Sequence, residues 1–112
     1  VLLNLINNAF YAASEKKKLL EESGNLGDFK PKVWVITKNE SEGVTISIRD
    51  NGNGIPDDIK SKIFQPFFTT KPAGSGTGLG LSMSYDIITK GHQGRLEVES
   101  KTGEFTEFTI FL

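Results

Sequence analysis

The stretch Gly74–Ser82, reading Gly-Ser-Gly-Thr-Gly-Leu-Gly-Leu-Ser, constrains this chain more than any other segment. Glycine at every second position disfavours both helix and strand interiors, because each glycine loses extra backbone freedom on folding. Such a run suits a backbone that must approach something closely or turn through positive φ. Directly after it the pattern becomes helical, with Leu81, Tyr85 and Ile88 at i, i+4 and i+7 and Gly91 as a stop signal. A helix is therefore predicted from Thr77 to Lys90. A glycine-rich loop feeding a helix N-terminus offers unpaired N–H groups and the positive end of the helix dipole, which suits phosphate. The same composition also serves in plain connectors.

Length and charge narrow the alternatives. A chain of 112 residues fits one domain around one core. The net charge is −1, and the one basic run, Lys16-Lys17-Lys18, reads as a solvated helix face, so nucleic-acid binding is not expected. No apolar run approaches the ~18 residues needed to span a bilayer, and no signal-peptide pattern is present. Cysteine is absent, which excludes disulfides and thiolate metal sites. A cytoplasmic domain without direct membrane contact is the expectation.

The chain opens in helical sequence, Val1 to about Glu22, without a capping residue, as if cut within the helix. At 100° per residue, Leu2, Leu5, Ile6, Ala9, Phe10, Ala12 and Ala13 share a broad apolar face. The opposite stripe carries Asn4, Asn7, Asn8, Tyr11 and Glu15. Asparagine is a mediocre helix former. The stripe is either a solvated polar face, or a place where Asn4 and Asn8, one turn apart, aim carboxamide oxygens at a hydrated cation or ligand.

Gly24–Pro31 reads as a loop, and Lys32–Lys38 as a strand apolar on both faces for part of its length. Residues 39–43 connect it to a second strand, in which Val44, Ile46 and Ile48 alternate with polar residues. That strand runs into Asp50-Asn-Gly-Asn-Gly-Ile55. A carboxylate held at a strand end, followed by Gly-x-Gly, can accept from an exocyclic amine while the glycines let a flat ring approach. An ordinary Asp-Asn-Gly turn has the same letters.

Asp57–Lys62 reads as a helical turn, followed by Phe64-Gln-Pro-Phe-Phe68, in which Phe64 and one of Phe67 and Phe68 should anchor. The following polar residues, hinged by glycine, have the makeup of a lid carrying Lys71. Strands are expected over Arg95–Ser100 and Phe105–Leu112, the latter with Phe108, Ile110 and Leu112 inward. His92, in a glycine-bounded turn, is read as structural or solvated. No nucleophile–base pair and no His or Cys cluster for zinc is visible.

Together and in this order, Asn4–Ala9, Asp50–Ile55, Phe64–Phe68 and Gly74–Leu81 closely resemble the N box, first glycine box, F box and second glycine box of the ATP-binding catalytic domain of sensor histidine kinases. That is a branch of the GHKL superfamily with the Bergerat fold, and the resemblance covers nearly the whole chain. It implies an α+β, two-layer sandwich, a mixed and mostly antiparallel sheet packed against helices, as one domain over 1–112 beginning at the N box, with an ATP lid at about 67–78.

The resemblance further implies ATP and Mg²⁺ as cofactors. Asn8 would ligate the metal, with Asn4 near the phosphates. Asp50 would accept from the adenine amine, with Gly52, Gly54 and Ile55 shaping the pocket and Thr106 on the adenine side. Lys71 would reach the phosphates from the lid, and with Asn8 serve catalysis. Gly76, Thr77, Gly78, Leu79, Gly80 and Leu81 would cradle the phosphates. The γ-phosphoryl would pass to a histidine on a separate dimerisation domain, and thence to a response regulator. The isolated domain would be monomeric and the parent a homodimeric sensor, either membrane-bound or not.

Three departures stand out. The elements that precede the N box in the family are absent from this sequence, so an incomplete sheet edge is expected. Phe105-Thr106 stands where the family carries Gly-Thr. His92 lacks the sequence context of the phospho-acceptor. Related ATPases such as gyrase carry a general-base Glu where this chain has Asn4, which cannot take a proton from water. A nucleotide-free interaction module would have no need of Asn8, Asp50 and the glycines. Protein-kinase and Walker-type loops do not fit, for lack of His-Arg-Asp, Asp-Phe-Gly or Gly-Lys-Ser/Thr.

Overall fold

The computed structural model describes residues 2–41, 43–65, 80–91 and 93–112. Helix α1 spans Leu2–Ser23 and runs as far as its sequence allows. Gly24 ends it at φ +76°, with its amide on the Glu21 carbonyl (3.2 Å) and the Asn25 amide on the Leu20 carbonyl (2.9 Å). These two bonds satisfy carbonyls that the last helical turn leaves open, and only glycine adopts that φ without strain.

Four strands follow the predicted alternation: β1 Val33–Glu40, β2 Gly43–Asp50, β3 Arg95–Lys101 and β4 Phe105–Phe111. They form a sheet in the order β1-β2-β4-β3, and every pairing among these described strands is antiparallel. The β1–β2 connection is tighter than the sequence suggested, because the ladder continues to Glu40 opposite Gly43. Between β2 and β3 lie α2, Asp57–Lys60, and α3, Gly80–Asp86. The single helix expected to Lys90 instead passes into a π-helical turn at Ile87–Gly91. There the Thr89 hydroxyl donates to the Tyr85 carbonyl at 2.7 Å, giving that carbonyl a side-chain donor within the widened turn.

The core lies between α1, α3 and one face of the sheet. Leu5 and Ala9 of α1 meet Ile48, Ile63, Ile88, Leu96, Phe108 and Ile110. Phe64 anchors as expected, its ring 5.0 Å from Tyr85 and edge-on to Phe108 at 6.3 Å; Phe67 and Phe68 lie outside the described residues. The buried stripe of α1 is Leu5, Ala9 and Ala13, narrower than the face expected, and Leu2 and Phe10 stay exposed. Small residues at its centre let the helix sit close on β2, so only a thin strip of its surface is covered.

β1 is apolar on both faces as read, and its Trp34, Val35 and Ile36 are exposed on this edge strand of the described sheet. One further apolar expectation is corrected. Leu112 is half exposed rather than inward. It pairs by backbone with Val44 at the end of the sheet away from Asp50, beyond the helical cover.

Candidate functional site

The site is built on one row across the sheet. Asp50 at the end of β2 stands opposite Thr106 of β4, which stands opposite Ser100 of β3. The row continues the inward-facing pattern of Ile46, Ile48, Phe108 and Ile110, so polar side chains replace the core where the sheet ends. Asp50 and Thr106 are both buried, at 3% and 4% exposure.

Among the described residues, the Asp50 carboxylate accepts one hydrogen bond, from the Gly52 amide at 2.8 Å. Burial raises its pKa from the ordinary 3.8 to about 6, against the opposing pull of that amide and of the Lys16 ammonium. A buried carboxylate with so little compensation is costly to the fold, and it is an open acceptor for a ligand donor.

The glycines around it have distinct reasons. A Cβ on Gly52 would stand 2.8 Å from the backbone carbon and oxygen of Ala12, so this glycine is where the loop presses on α1. Gly54 has φ +75°, and a Cβ there would meet the Lys101 carbonyl oxygen at 2.5 Å. Ile55 packs against the core, and its amide donates to Ser100 Oγ at 2.7 Å. Asn51, within the same motif, has a different task. Its side chain accepts from the Lys32 amide and donates to the Lys30 carbonyl, both at 2.8 Å, tying the loop before β1 to the end of β2.

Asn8 lies on α1 one turn before Ala12, hence one turn from the contact with Gly52, and is half-buried; Asn4 lies a further turn away and is exposed. Leu81, in the first turn of α3, packs against the core. Gly80 begins α3. Lys71, Gly76, Thr77, Gly78, Leu79, the lid at about 67–78 and His92 lie outside the described residues. Thus Asp50, Gly52, Gly54, Ile55 and Thr106 come together, with Asn8 on the adjoining helix.

The Phe105-Thr106 departure leaves this row intact. Phe105 points to the opposite face of the sheet by alternation, where the Arg49 guanidinium lies over its ring at 4.0 Å. Two residues that sequence reasoning passed over also belong here. Lys16, taken for part of a solvated run, donates to the Gly103 carbonyl at 2.8 Å and covers the Phe29 ring at 5.1 Å. Gly103 in turn donates to the Asn53 carbonyl at 2.6 Å, so the β3–β4 turn is held to both α1 and the pocket loop. Ser100 looked like one more polar position of an alternating strand. Nothing in a Lys-Lys-Lys run or an alternating strand marks either residue, because both act through partners distant in sequence.

Residues 1–112 match the family described as "Histidine kinase-, DNA gyrase B-, and HSP90-like ATPase". The chain belongs to that family. Within it, the signal transduction histidine-protein kinase AtoS of Escherichia coli is 41% identical over 112 residues, covering all of this chain and 16% of AtoS. The sensor kinase CckA of Brucella abortus is 52% identical over 73 residues, 65% of this chain and 8% of that protein. Both curated relatives are therefore far longer than this chain. The solved catalytic domain of the histidine kinase ThkA superposes with a TM-score of 0.73 at 31% identity, over 97% of this chain and 61% of that one. This member of the histidine kinase-, gyrase- and HSP90-like family thus has the α+β architecture expected from its motifs, and nucleotide binding is the common property its family name implies. Among the described residues no helix is long and apolar enough to cross a membrane, and no group of three or more His, Cys, Asp or Glu side chains could hold a metal.

Proposed function

We propose that this chain is the ATP-binding catalytic domain of a two-component sensor histidine kinase, transferring the γ-phosphoryl of Mg-ATP to a histidine on a separate dimerisation domain. The observation that carries the adenine half of this reading is the buried Asp50 carboxylate, an acceptor beside Thr106 at the mouth of a loop that Gly52 and Gly54 keep close. An exocyclic amine is the donor such a site lacks. Gly52, Gly54 and Ile55 shape the wall for the flat base.

The phosphate half rests on the α1 and glycine-box residues. Asn8 has the neutral carboxamide oxygen that suits a cation otherwise held by phosphates and water, and its place one helical turn from the Gly52 contact supports it as the metal ligand. Asn4 lies next along the phosphates. Gly76 to Leu81, leading into the N-terminus of α3, supply amide donors, and Lys71 an ammonium. Mg²⁺, when bound, would neutralise phosphate charge during transfer. Asn4 in place of a carboxylate leaves no general base for water at that position, which favours transfer to a histidine over hydrolysis. The dimerisation domain, the response regulator, a cytoplasmic setting and a monomeric isolated domain all belong to this reading.

The test is calorimetric titration with ADP and a non-hydrolysable ATP analogue, with and without Mg²⁺, and with GTP as control. Adenine-selective, Mg²⁺-sensitive binding with negligible ATP hydrolysis is expected. Equal affinity for GTP, or vigorous hydrolysis, refutes the proposal.

A further inference from the structure

Ser100 is the meeting point of three hydrogen-bonding contacts. Its Oγ donates to the Phe105 carbonyl at 2.9 Å and accepts from the Ile55 amide at 2.7 Å. Its third neighbour is Thr106 Oγ1 at 3.2 Å, a contact in which either hydroxyl could donate. A serine hydroxyl has a single hydrogen, and a carbonyl can only accept. With the Ser100 hydrogen committed to Phe105, Thr106 is the donor in the third contact. That consumes the one hydrogen of Thr106. What Thr106 has left to offer on the Asp50 side of the row is lone pairs.

We infer that Ser100 sets the base preference of the site: by holding the Thr106 hydroxyl as an acceptor beside Asp50, it makes the pocket select a 6-amino purine over a 6-keto purine. The inference rests on the adenine-nucleotide reading above and adds a specificity-determining residue to it. An amino group carries two N–H donors and matches neighbouring acceptors. A keto oxygen placed against the same acceptors has no donor and loses its water, which is where discrimination arises. Ser100 also fixes the wall of the pocket through the Ile55 amide. Its Oγ would lie 3.0 Å from a Cβ on Gly54, so the loop rests directly on this side chain. A purely structural peg would affect amino and keto nucleotides alike. An orienting hydroxyl changes their ratio.

The experiment measures binding of ADP and of inosine diphosphate, which differ at the purine 6-position and its neighbouring N1 proton, to the wild-type chain and five variants at pH 7.5. Ser100→Ala frees the Thr106 hydrogen to turn toward a keto oxygen, and the ADP preference is expected to fall about fivefold, the worth of one ordinary hydrogen bond. Ser100→Cys, with a weak donor and acceptor in nearly the same space, serves as the second relaxed variant and is held to the same outcome. Ser100→Thr keeps the hydroxyl and should keep the wild-type ratio. In the double variant Ser100→Ala/Thr106→Val, the loss of Ser100 should no longer alter the ratio relative to Thr106→Val alone. An unchanged ratio in both Ser100→Ala and Ser100→Cys overturns the role of Ser100, as does an equal change with and without Thr106. A wild-type chain that binds neither nucleotide overturns instead the adenine reading itself, and this inference with it.

Discussion

Replacing Asp50 by Asn should stabilise the free domain at neutral pH while weakening its hold on adenine nucleotides. The carboxylate is 3% exposed, and burial raises its pKa from 3.8 to about 6 despite the Gly52 amide and Lys16. A raised carboxylate pKa means that the folded state binds the proton more tightly than the unfolded chain does. The stability this contributes is complete below pH 3.8, where both states are protonated, and is lost as pH rises through 6. The two pKa values differ by about 2, and at about 1.4 kcal/mol for each tenfold change the ionised carboxylate costs the fold about 3 kcal/mol at pH 7.5. Asn keeps an oxygen for the Gly52 amide and carries no charge. Urea unfolding of both proteins at intervals from pH 4 to 7.5 isolates this group, because every other titrating residue is common to the two. The stability of the variant relative to wild type should climb by about 2.4 kcal/mol across that range, since the first part of the loss already lies below pH 4, with unchanged m-values. A difference flat over the whole range would refute the argument that Asp50 is held against its solvation. The ionised carboxylate is the stronger acceptor for an amine, so wild-type ADP binding should weaken as pH falls through 6 and release no proton at pH 7.5.

Further expectations follow from single contacts. Lys16→Met removes an ammonium that favours the Asp50 carboxylate and the clamp on Gly103; the midpoint for ADP binding should move to higher pH, as read by titrations at several pH values. Gly52→Ala places a methyl 2.8 Å from the Ala12 backbone, which cannot swing aside as a side chain would; a loss of about 2 kcal/mol or more is expected in thermal melts, together with weakened ADP binding. The Ser84 hydroxyl, fully buried in α3, has no hydrogen-bond partner among the described residues. Ser84→Ala should therefore stabilise the chain by about 1 kcal/mol in urea unfolding.

Much of the fold was legible in sequence because its signals are local. Gly24 ends α1, and of the alternating Val44, Ile46 and Ile48, Ile48 is buried and Ile46 packs against the core, while Val44 stays exposed at the far end of β2. Asp50 at the end of that strand followed by Gly-x-Gly was readable as a held carboxylate, and the structure puts it there, buried. The apolar face of α1 was read too broadly, since 100° periodicity marks which residues could be covered and not how wide a strip the sheet covers. Phe10 has the right phase and stays in solvent. Leu112 fails for the same reason: alternation gives its side, whereas the extent of the helical layer gives its burial.

The sequence by itself determined which residue types stand at which spacing, and so which residues the proposed chemistry draws on. Asparagines on a helix, an aspartate before two glycines and a glycine loop before a helix are choices of residue type at fixed spacing, and local backbone physics accounts for them. Only the tertiary structure decided how those residues are tuned. The raised pKa of Asp50 comes from burial beneath α1, the close pass of Gly52 from the Ala12 backbone, and the polarity of Thr106 from a serine on another strand. Desolvation, contact and hydrogen-bond direction are properties of neighbours, and these neighbours are brought together by an antiparallel pairing that joins β2 to β4 across more than fifty residues of chain.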